Sequence, residues 1–190
     1  MGLDITAISE IEPIVVPPEL EIWSDEYYEW EQEQDFPGGV WNLSPNAWFP
    51  EQSEGVPLGS VISKGEEYGF RAGSYSGYNE WRNDLTYAVL GINAEDAWSR
   101  IDDGETDIPF AYLINFSDAD GIIGPIASKK LYNDFVNYED DIMKKVDYWF
   151  LKMDPHKEYS AMDMKWFQTK YNDWKQAFKV ASNNGAVIFH

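Results

Sequence analysis

The sequence predicts a single α+β domain, residues 1–190, in which a mixed or antiparallel sheet is packed by C-terminal helices. Two observations lead to this fold class. A chain of 190 residues with 44% apolar residues is large and apolar enough to bury one core. Short strand-like segments bounded by proline and glycine lie mainly in the first half of the chain, and helical periodicity lies mainly in the second half.

Two predicted strands come first, at residues 2–8 and 11–16. Pro13, Pro17 and Pro18 place the second strand at an edge and end it, because proline has no backbone N–H to donate to a neighbouring strand.

An acidic, aromatic-rich excursion follows at about residues 19–57. Residues 19–35 carry eight carboxylates and no cation. Residues 36–57 form a connection rich in Pro, Gly and Asn. We expect this connection to be ordered, because the side chains of Trp41, Trp48 and Phe49 would be costly to leave in water.

The next elements are predicted in chain order: a strand pair at 58–63 and 67–71, a helix from about Asn79 to Leu90, a turn capped by Asn93 and running through Trp98, and a strand at 109–116. A helix is then predicted from Pro125 to about Tyr138, and it could continue, bent, to Phe150 before a break at Asp154–Pro155. The last predicted elements are a helix from Ser160 to about Asn183 and a strand at 186–190. Proline suits the first position of a helix, and Ser160 with Asp163 resembles a capping box. In the last helix, apolar residues recur in alternating steps of four and three, which predicts that this face is core. These residues are Phe167, Tyr171, Trp174, Phe178 and Ala181.

The charge distribution is strongly uneven. The formal charge is −20, from 34 acidic and 14 basic residues, and residues 1–63 contain 13 acids and no Lys or Arg. Such a chain repels phosphate backbones and anionic lipid surfaces, so direct nucleic-acid binding and membrane binding are not expected. The absence of cysteine excludes disulfides and thiolate metal sites and suits a reducing cytoplasm.

One candidate site is the stretch FRAGSYSGYNEWRNDL, residues 70–85, which places two scarce arginines around a Gly/Ser/Tyr loop. Backbone N–H groups at a helix N-terminus attract anions, arginine can grip them bidentately, and an aromatic ring can stack on a base. The candidate ligand-binding residues are Arg71, Ser74, Tyr75, Tyr78, Trp81 and Arg82. The alternative is a glycine-rich turn whose arginines pair with carboxylates of the chain.

A second candidate site is INFSDADGIIG, residues 114–124, between a predicted strand and a predicted helix. Asn115, Ser117, Asp118 and Asp120 could bind a ligand there, and the two aspartates could hold Mg²⁺. The spacing does not match an EF-hand. A tight turn capped by side-chain oxygens is the alternative.

The two histidines, His156 and His190, form no zinc-binding pattern, and no G-x-S-x-G motif is present. His190 is a candidate general base in one hypothesis only, that of a metal-dependent hydrolase.

The acidic segment is a candidate surface for a basic protein partner, because arrayed carboxylates can imitate phosphates and nearby aromatics can supply strong contacts. Its candidate partner-binding residues are Glu19, Glu21, Asp25, Glu26, Glu29, Glu31 and Glu33. The alternative is a solvated face that keeps the protein soluble.

Four stretches, MGLDITA, FRAGSYSGYNEWR, INFSDADGIIG and NNGAVIFH, together resemble a family of small hypothetical proteins of phages and bacteria. The resemblance covers about a quarter of the chain and carries over no catalytic residue. It implies a location in the cytoplasm of bacteria, and it favours a counter-defence role.

Three functions are consistent with these patterns. The first is a non-enzymatic, phage-encoded binding protein that inhibits a host defence component, either by sequestering a nucleotide-like ligand or by masking a basic nucleic-acid-binding surface. The second is a metal-dependent hydrolase of a phosphorylated small molecule. The third is an acidic immunity protein that neutralises a basic toxin.

Overall fold

The computed structural model of the chain describes residues 2–34, 36, 38–105, 107–116, 121–153 and 158–190, of which 148–153 and 158–163 are described by their backbone alone. The predicted α+β fold class is confirmed. The strands are β1 (Leu3–Ile8), β2 (Ile11–Pro13), β3 (Val40–Leu43), β4 (Gly59–Ser63), β5 (Glu67–Gly73), β6 (Gly121–Ile123) and β7 (Ala186–Phe189). The helices are α1 (Asp25–Glu33), α2 (Tyr75–Leu90), α3 (Ala94–Asp102), α4 (Ala111–Ile114), α5 (Pro125–Asn137), α6 (Glu139–Met153) and α7 (Glu158–Ala181), with a 3₁₀ helix at Pro50–Ser53.

The larger sheet has the strand order β5-β1-β7-β6, and every neighbouring pair is antiparallel. The predicted strand at 186–190 is confirmed as β7, and all four of its residues are buried. Val187 and Phe189 belong to the main core with the helices, whereas Ala186 and Ile188 belong to a second core with the smaller sheet. Because side chains alternate along a strand, β7 can serve both cores only when both faces of its sheet are covered.

The smaller sheet has the order β2-β4-β3 and is also antiparallel. The prediction that 58–63 pairs with 67–71 is wrong, since β4 pairs with β2 and β3, and β5 pairs with β1. The chain crosses from one sheet to the other twice, near Ser9–Glu10 and near Gly65. Lys64 and Gly65 donate their backbone N–H groups to the Glu10 and Ser9 carbonyls. The continuous segment β1–β2 therefore pairs with the continuous segment β4–β5, so that β1 lies beside β5 and β2 lies beside β4. The spacing of residues along the sequence does not indicate this pairing.

The predicted strand at 109–116 is wrong as well, because this segment contains the short helix α4. Phe110 lies in the left-handed region at φ 60°, and its N–H donates to Asp134 Oδ2 at 2.9 Å. Asp134 therefore holds a turn immediately before α4. The side chains of Phe110 and Phe116 are buried, although the backbone of this segment does not form the predicted strand.

One helix boundary differs from the predicted one, because α2 begins at Tyr75 rather than at Asn79. The helix predicted from Pro125 to about Tyr138 is confirmed as α5, and after an interruption at Tyr138 the chain continues as α6, in agreement with the predicted bent continuation. The predicted break at Asp154–Pro155 and the capping pair Ser160 and Asp163 lie outside the described residues or side chains. Among the described helices, none is both long enough and apolar enough to span a membrane.

The apolar face predicted for the last helix is confirmed. Phe167, Tyr171, Trp174, Phe178 and Ala181 are fully buried. These rings pack against α5, α2 and β7, so α7 provides much of the main core.

We expect the Asp134 carboxylate to make stability depend on pH. Burial raises its pKa above the usual range, although the Phe110 N–H and the Lys130 ammonium act in the opposite direction. A carboxyl whose pKa is higher in the folded protein than in the unfolded chain favours folding when protonated. The stability that protonated Asp134 contributes is therefore lost as pH rises from about 4 through the folded-state pKa. Above that pKa, the effect of Asp134 on the free energy of unfolding no longer changes with pH.

The matching variant is Asp134→Asn, which keeps an acceptor oxygen for Phe110 but cannot ionise. Urea unfolding at a series of pH values should show the original protein losing stability relative to the variant as pH rises over that interval. A relative gain with rising pH would contradict the assignment.

Candidate functional site

The predicted anion site at the start of α2 is occupied by the chain's own hydroxyls. Ser74 Oγ accepts a hydrogen bond from the Gly77 N–H at 3.0 Å and lies 3.0 Å from Ser76 Oγ. Tyr75 is half-buried and packs against the main core. Ser74 therefore acts here as a helix N-cap.

Arg71 lies on the exposed surface of β5. Its side chain is 64% exposed, and its Nε lies 3.9 Å from Asp4 Oδ1. An exposed pair at this distance contributes little to stability. This arginine corresponds to the alternative interpretation, in which the arginines pair with carboxylates.

Arg82 is in a very different environment, because it is only 3% exposed. Its guanidinium carbon lies 5.5 Å from the ring centre of Tyr78 and 5.0 Å from that of Trp98, and its Nη2 donates to Asn79 Oδ1 at 3.0 Å. Two aromatic rings and an amide are thus among the neighbours of the guanidinium. The two arginines do not share one environment: one is at the surface and the other is enclosed.

Two further residues of the first candidate loop belong to the core. Tyr78 and Trp81 are fully buried. Tyr78 Oη donates to the Phe116 carbonyl at 2.6 Å, and Trp81 Nε1 donates to the Phe167 carbonyl at 3.2 Å. Their rings stabilise the fold instead of offering a surface on which a ligand could stack.

The Tyr78–Phe116 bond does bring α2 next to the segment that precedes the second candidate loop. Asn115 is half-buried there. Ser117, Asp118 and Asp120 lie outside the described residues, so the magnesium hypothesis stays a prediction. In the ranges that the structure describes, no group of three or more His, Asp or Glu residues could hold a metal ion.

Of the two histidines, His156 lies outside the described residues, and His190 is exposed at the end of β7. His190 Nε2 lies 3.2 Å from Thr6 Oγ1, and its backbone N–H donates to the Asp4 carbonyl at 3.0 Å. Its ring centre is 6.3 Å from that of Trp41. His190 is therefore positioned by the sheet and faces an aromatic ring.

The acidic segment contains the helix α1. Ser24 caps it by accepting from the Tyr27 N–H at 3.1 Å, and Tyr27 is fully buried against neighbouring rings. Glu31 is half-buried, and its Oε1 accepts from the Val40 N–H at 2.7 Å, so this carboxylate ties α1 to β3. The other predicted partner-binding residues are all exposed: Glu19, Glu21, Asp25, Glu26, Glu29 and Glu33.

These exposed carboxylates repel one another along α1. Asp25 and Glu29 are four residues apart, as are Glu29 and Glu33, and like charges at this spacing destabilise a helix by about 0.2–0.5 kcal/mol per pair. The last turn of α1 also carries no basic residue, although a cation there would interact favourably with the helix dipole. Asp25 and Glu26 lie in the first turn, where the helix dipole favours negative charge, so the unfavourably placed carboxylates are Glu29 and Glu33 in the second half of α1.

Large aromatic side chains are exposed in the same region. Trp23 is 60% exposed and Tyr28 is 43% exposed. We call Trp23 and Tyr28, with the six exposed carboxylates above, the acidic aromatic surface. Trp48 is 81% exposed, so the expectation that all three aromatics of residues 36–57 are covered is wrong for this one, whereas Trp41 and Phe49 are half-buried.

A cleft of about 350 Å³ opens beside this surface, between β3 of the smaller sheet and β6 and β7 of the larger one. The residues that line it include the aromatic residues Trp23, Trp41 and His190, together with Ile122 and Ile188. We call it the aromatic cleft. The sequence predicts that Trp41 is covered, but no signal in the sequence connects residues 23, 41 and 190, because the packing of the smaller sheet against the larger one brings Trp41 and His190 together.

Comparisons of the chain with protein-family models, with curated proteins and with solved structures gave no match.

Proposed function

We propose that this chain is a non-enzymatic binding protein whose acidic aromatic surface docks onto a basic surface of a protein partner. The observation that carries the proposal is the coexistence, on and beside α1, of six exposed carboxylates and two exposed aromatic rings in a stretch of 63 residues without Lys or Arg. Aromatic anchors supply much of the affinity of protein interfaces, and complementary charge supplies speed and specificity.

The repulsion within α1 supports the same proposal. Carboxylates that repel one another in the free protein gain from a cationic partner, which relieves the repulsion when it binds. A surface needed only for solubility would not require the aromatic side chains of Trp23 and Tyr28, since exposed rings do not improve solubility.

Masking a nucleic-acid-binding surface is one use of such chemistry, and it would suit a phage protein that inhibits a host defence component in the bacterial cytoplasm. Neutralising a basic toxin would use the same surface. The version based on a nucleotide-like ligand has less support, because Arg82 is enclosed between aromatic rings and Arg71 lies beside Asp4.

The test is a charge reversal on α1, Glu29→Lys with Glu33→Lys, and the probe is a short blocked peptide of alternating arginine and alanine. We expect the double variant to bind this peptide about tenfold more weakly, since two attractive charges become repulsive. We also expect it to be more stable than the original protein by about 0.5 kcal/mol, because the cation introduced at position 29 would face Asp25 across one helix turn. Calorimetry would measure the affinity, and urea unfolding would measure the stability.

The matched control is Asp102→Lys with Asp103→Lys, at the end of α3, where both residues are exposed. It changes the net charge of the protein by the same amount at a different place. Equal weakening in both double variants would mean that the peptide responds to net charge alone, and the proposed surface would then be wrong.

A further inference from the structure

We infer that the aromatic cleft receives the guanidinium group of an arginine side chain from the basic partner. This inference rests on the proposed function and assigns to the cleft the insertion site of that interface. The cleft is lined by indole and imidazole rings from three parts of the chain, and its volume of about 350 Å³ is at the lower end of the range for small-ligand sites.

The rings suit a planar cation. Trp23 and Trp41 both line the cleft, and the His190 ring lies 6.3 Å from Trp41 at an interplanar angle of 46°. Indole faces attract cations more strongly than other aromatic faces do. Guanidinium is flat and weakly hydrated, so it stacks on such faces with a smaller loss of hydration than an ammonium group.

The charges nearby also favour a cation. Glu21 and Asp25 are exposed and lie two residues to either side of Trp23, so their Cα atoms are within about 8 Å of its Cα. No Lys or Arg is among the residues that line the cleft. Neither carboxylate is among the residues that line the cleft, so their effect is that of a negative field near Trp23, which favours a cation over an anion.

The backbone of Trp23 adds an independent observation. Trp23 has φ 75°, in the left-handed region that bulky side chains rarely adopt and that glycine adopts freely. Its ring packs against the rings of Tyr27 and Tyr28, at 6.0 and 6.4 Å between ring centres, but it is still 60% exposed. Much of the ring surface is therefore accessible at the edge of the cleft.

The first measurement is a titration with N-acetyl-arginine amide, followed through the indole N–H resonances of Trp23 and Trp41. We expect saturable shifts of both resonances. N-acetyl-citrulline amide has nearly the same shape without the charge, and we expect it to shift neither. Equal binding of the citrulline compound would overturn the inference, as would shifts confined to other tryptophans.

The variant is Trp23→Gly, chosen because glycine accepts φ 75° without strain, so loss of binding would not reflect unfolding. We expect it to bind arginine amide about tenfold more weakly. Cooperative thermal unfolding would show that the variant still folds, although it loses the ring contacts with Tyr27 and Tyr28. The control Trp48→Ala removes an exposed indole outside the cleft and should leave binding unchanged. Undiminished binding in Trp23→Gly would overturn the inference.

The same variants separate this inference from the proposed function. If the arginine–alanine peptide binds Trp23→Gly normally and binds the α1 charge reversal about tenfold more weakly, the carboxylates of the acidic aromatic surface are the binding site and the cleft inference fails. If arginine amide binds at the cleft while the α1 and α3 charge reversals affect the peptide equally, the cleft stands and the proposed surface fails.

Discussion

Replacing Trp174 with alanine is expected to lower the free energy of unfolding by about 3–5 kcal/mol, the range observed when large aromatic residues are removed from well-packed cores. Trp174 is fully buried on α7. Its ring centre lies 5.0 Å from that of Phe70, 5.4 Å from Tyr78 and 5.6 Å from Phe189. The ring therefore joins α7 to α2 and to two strands of the larger sheet, and no single neighbour can move to fill the space that its removal leaves.

Urea unfolding of the variant would measure this loss, and Trp48→Ala is the matched control. Both changes remove an indole, but Trp48 is 81% exposed, so its replacement should change stability by no more than about 0.5 kcal/mol. A loss below about 1 kcal/mol for Trp174→Ala would mean that the aromatic core is not closely packed around this ring.

The position of Trp174 could be predicted from the sequence, because its helix face depends only on local spacing. Phe167, Tyr171 and Phe178 follow the period of one helix, and the single face that they share has to be buried. The strand β7 could be predicted for a similar reason, as a short apolar run after Asn184–Gly185.

The errors occur where a distant contact decides a local conformation. The run at 109–116 has strand-like composition, but the Asp134 carboxylate accepts the Phe110 N–H and the backbone turns into α4. Similarly, β4 and β5 flank a turn that looks like a hairpin, yet they belong to different sheets because each pairs with an earlier strand. Neither partner is visible from the spacing of nearby residues.

The candidate sites divide in the same way. The exposed acidic residues of α1 could be predicted, because charge density is a property of composition alone. The burial of Arg82 could not be predicted from the sequence, because its position between Tyr78 and Trp98 depends on how α2 packs against α3. The aromatic cleft could not be predicted either, because His190 comes near Trp41 through the packing of the two sheets against each other, which the sequence spacing does not show.

Replacing Gly185 with alanine is expected to destabilise the protein by about 3 kcal/mol or more, at the upper end of the range for overpacked sites. A methyl group at this position would overlap the carbonyl oxygen of Ile8 and would lie 2.9 Å from the Ile8 carbonyl carbon. Ile8 ends β1 and pairs with Ala186 at the start of β7. Backbone atoms of a paired strand can yield only if the pairing itself shifts.

The turn around Gly185 has a second connection to this part of the chain, which makes relaxation harder. The Glu10 and Ile11 N–H groups donate to the carbonyls of Asn183 and Asn184, both at 2.9 Å. A movement of the turn away from Ile8 would therefore strain the bonds that hold the chain as it passes from β1 to β2. Both sheets depend on that passage, so the loss should appear as a lower midpoint of the whole unfolding transition.

Gly69→Ala is the matched control, because a methyl group there would also face a β1 carbonyl, that of Ile5, but at an ordinary 3.9 Å. We expect this variant to be as stable as the original protein or more stable by about 0.4–1 kcal/mol, since alanine reduces the freedom of the unfolded chain. Urea midpoints of the two variants would give the comparison. A Gly185→Ala protein as stable as Gly69→Ala would show that the turn can move independently of β1, and the junction between the two sheets would then be less rigid than these contacts require.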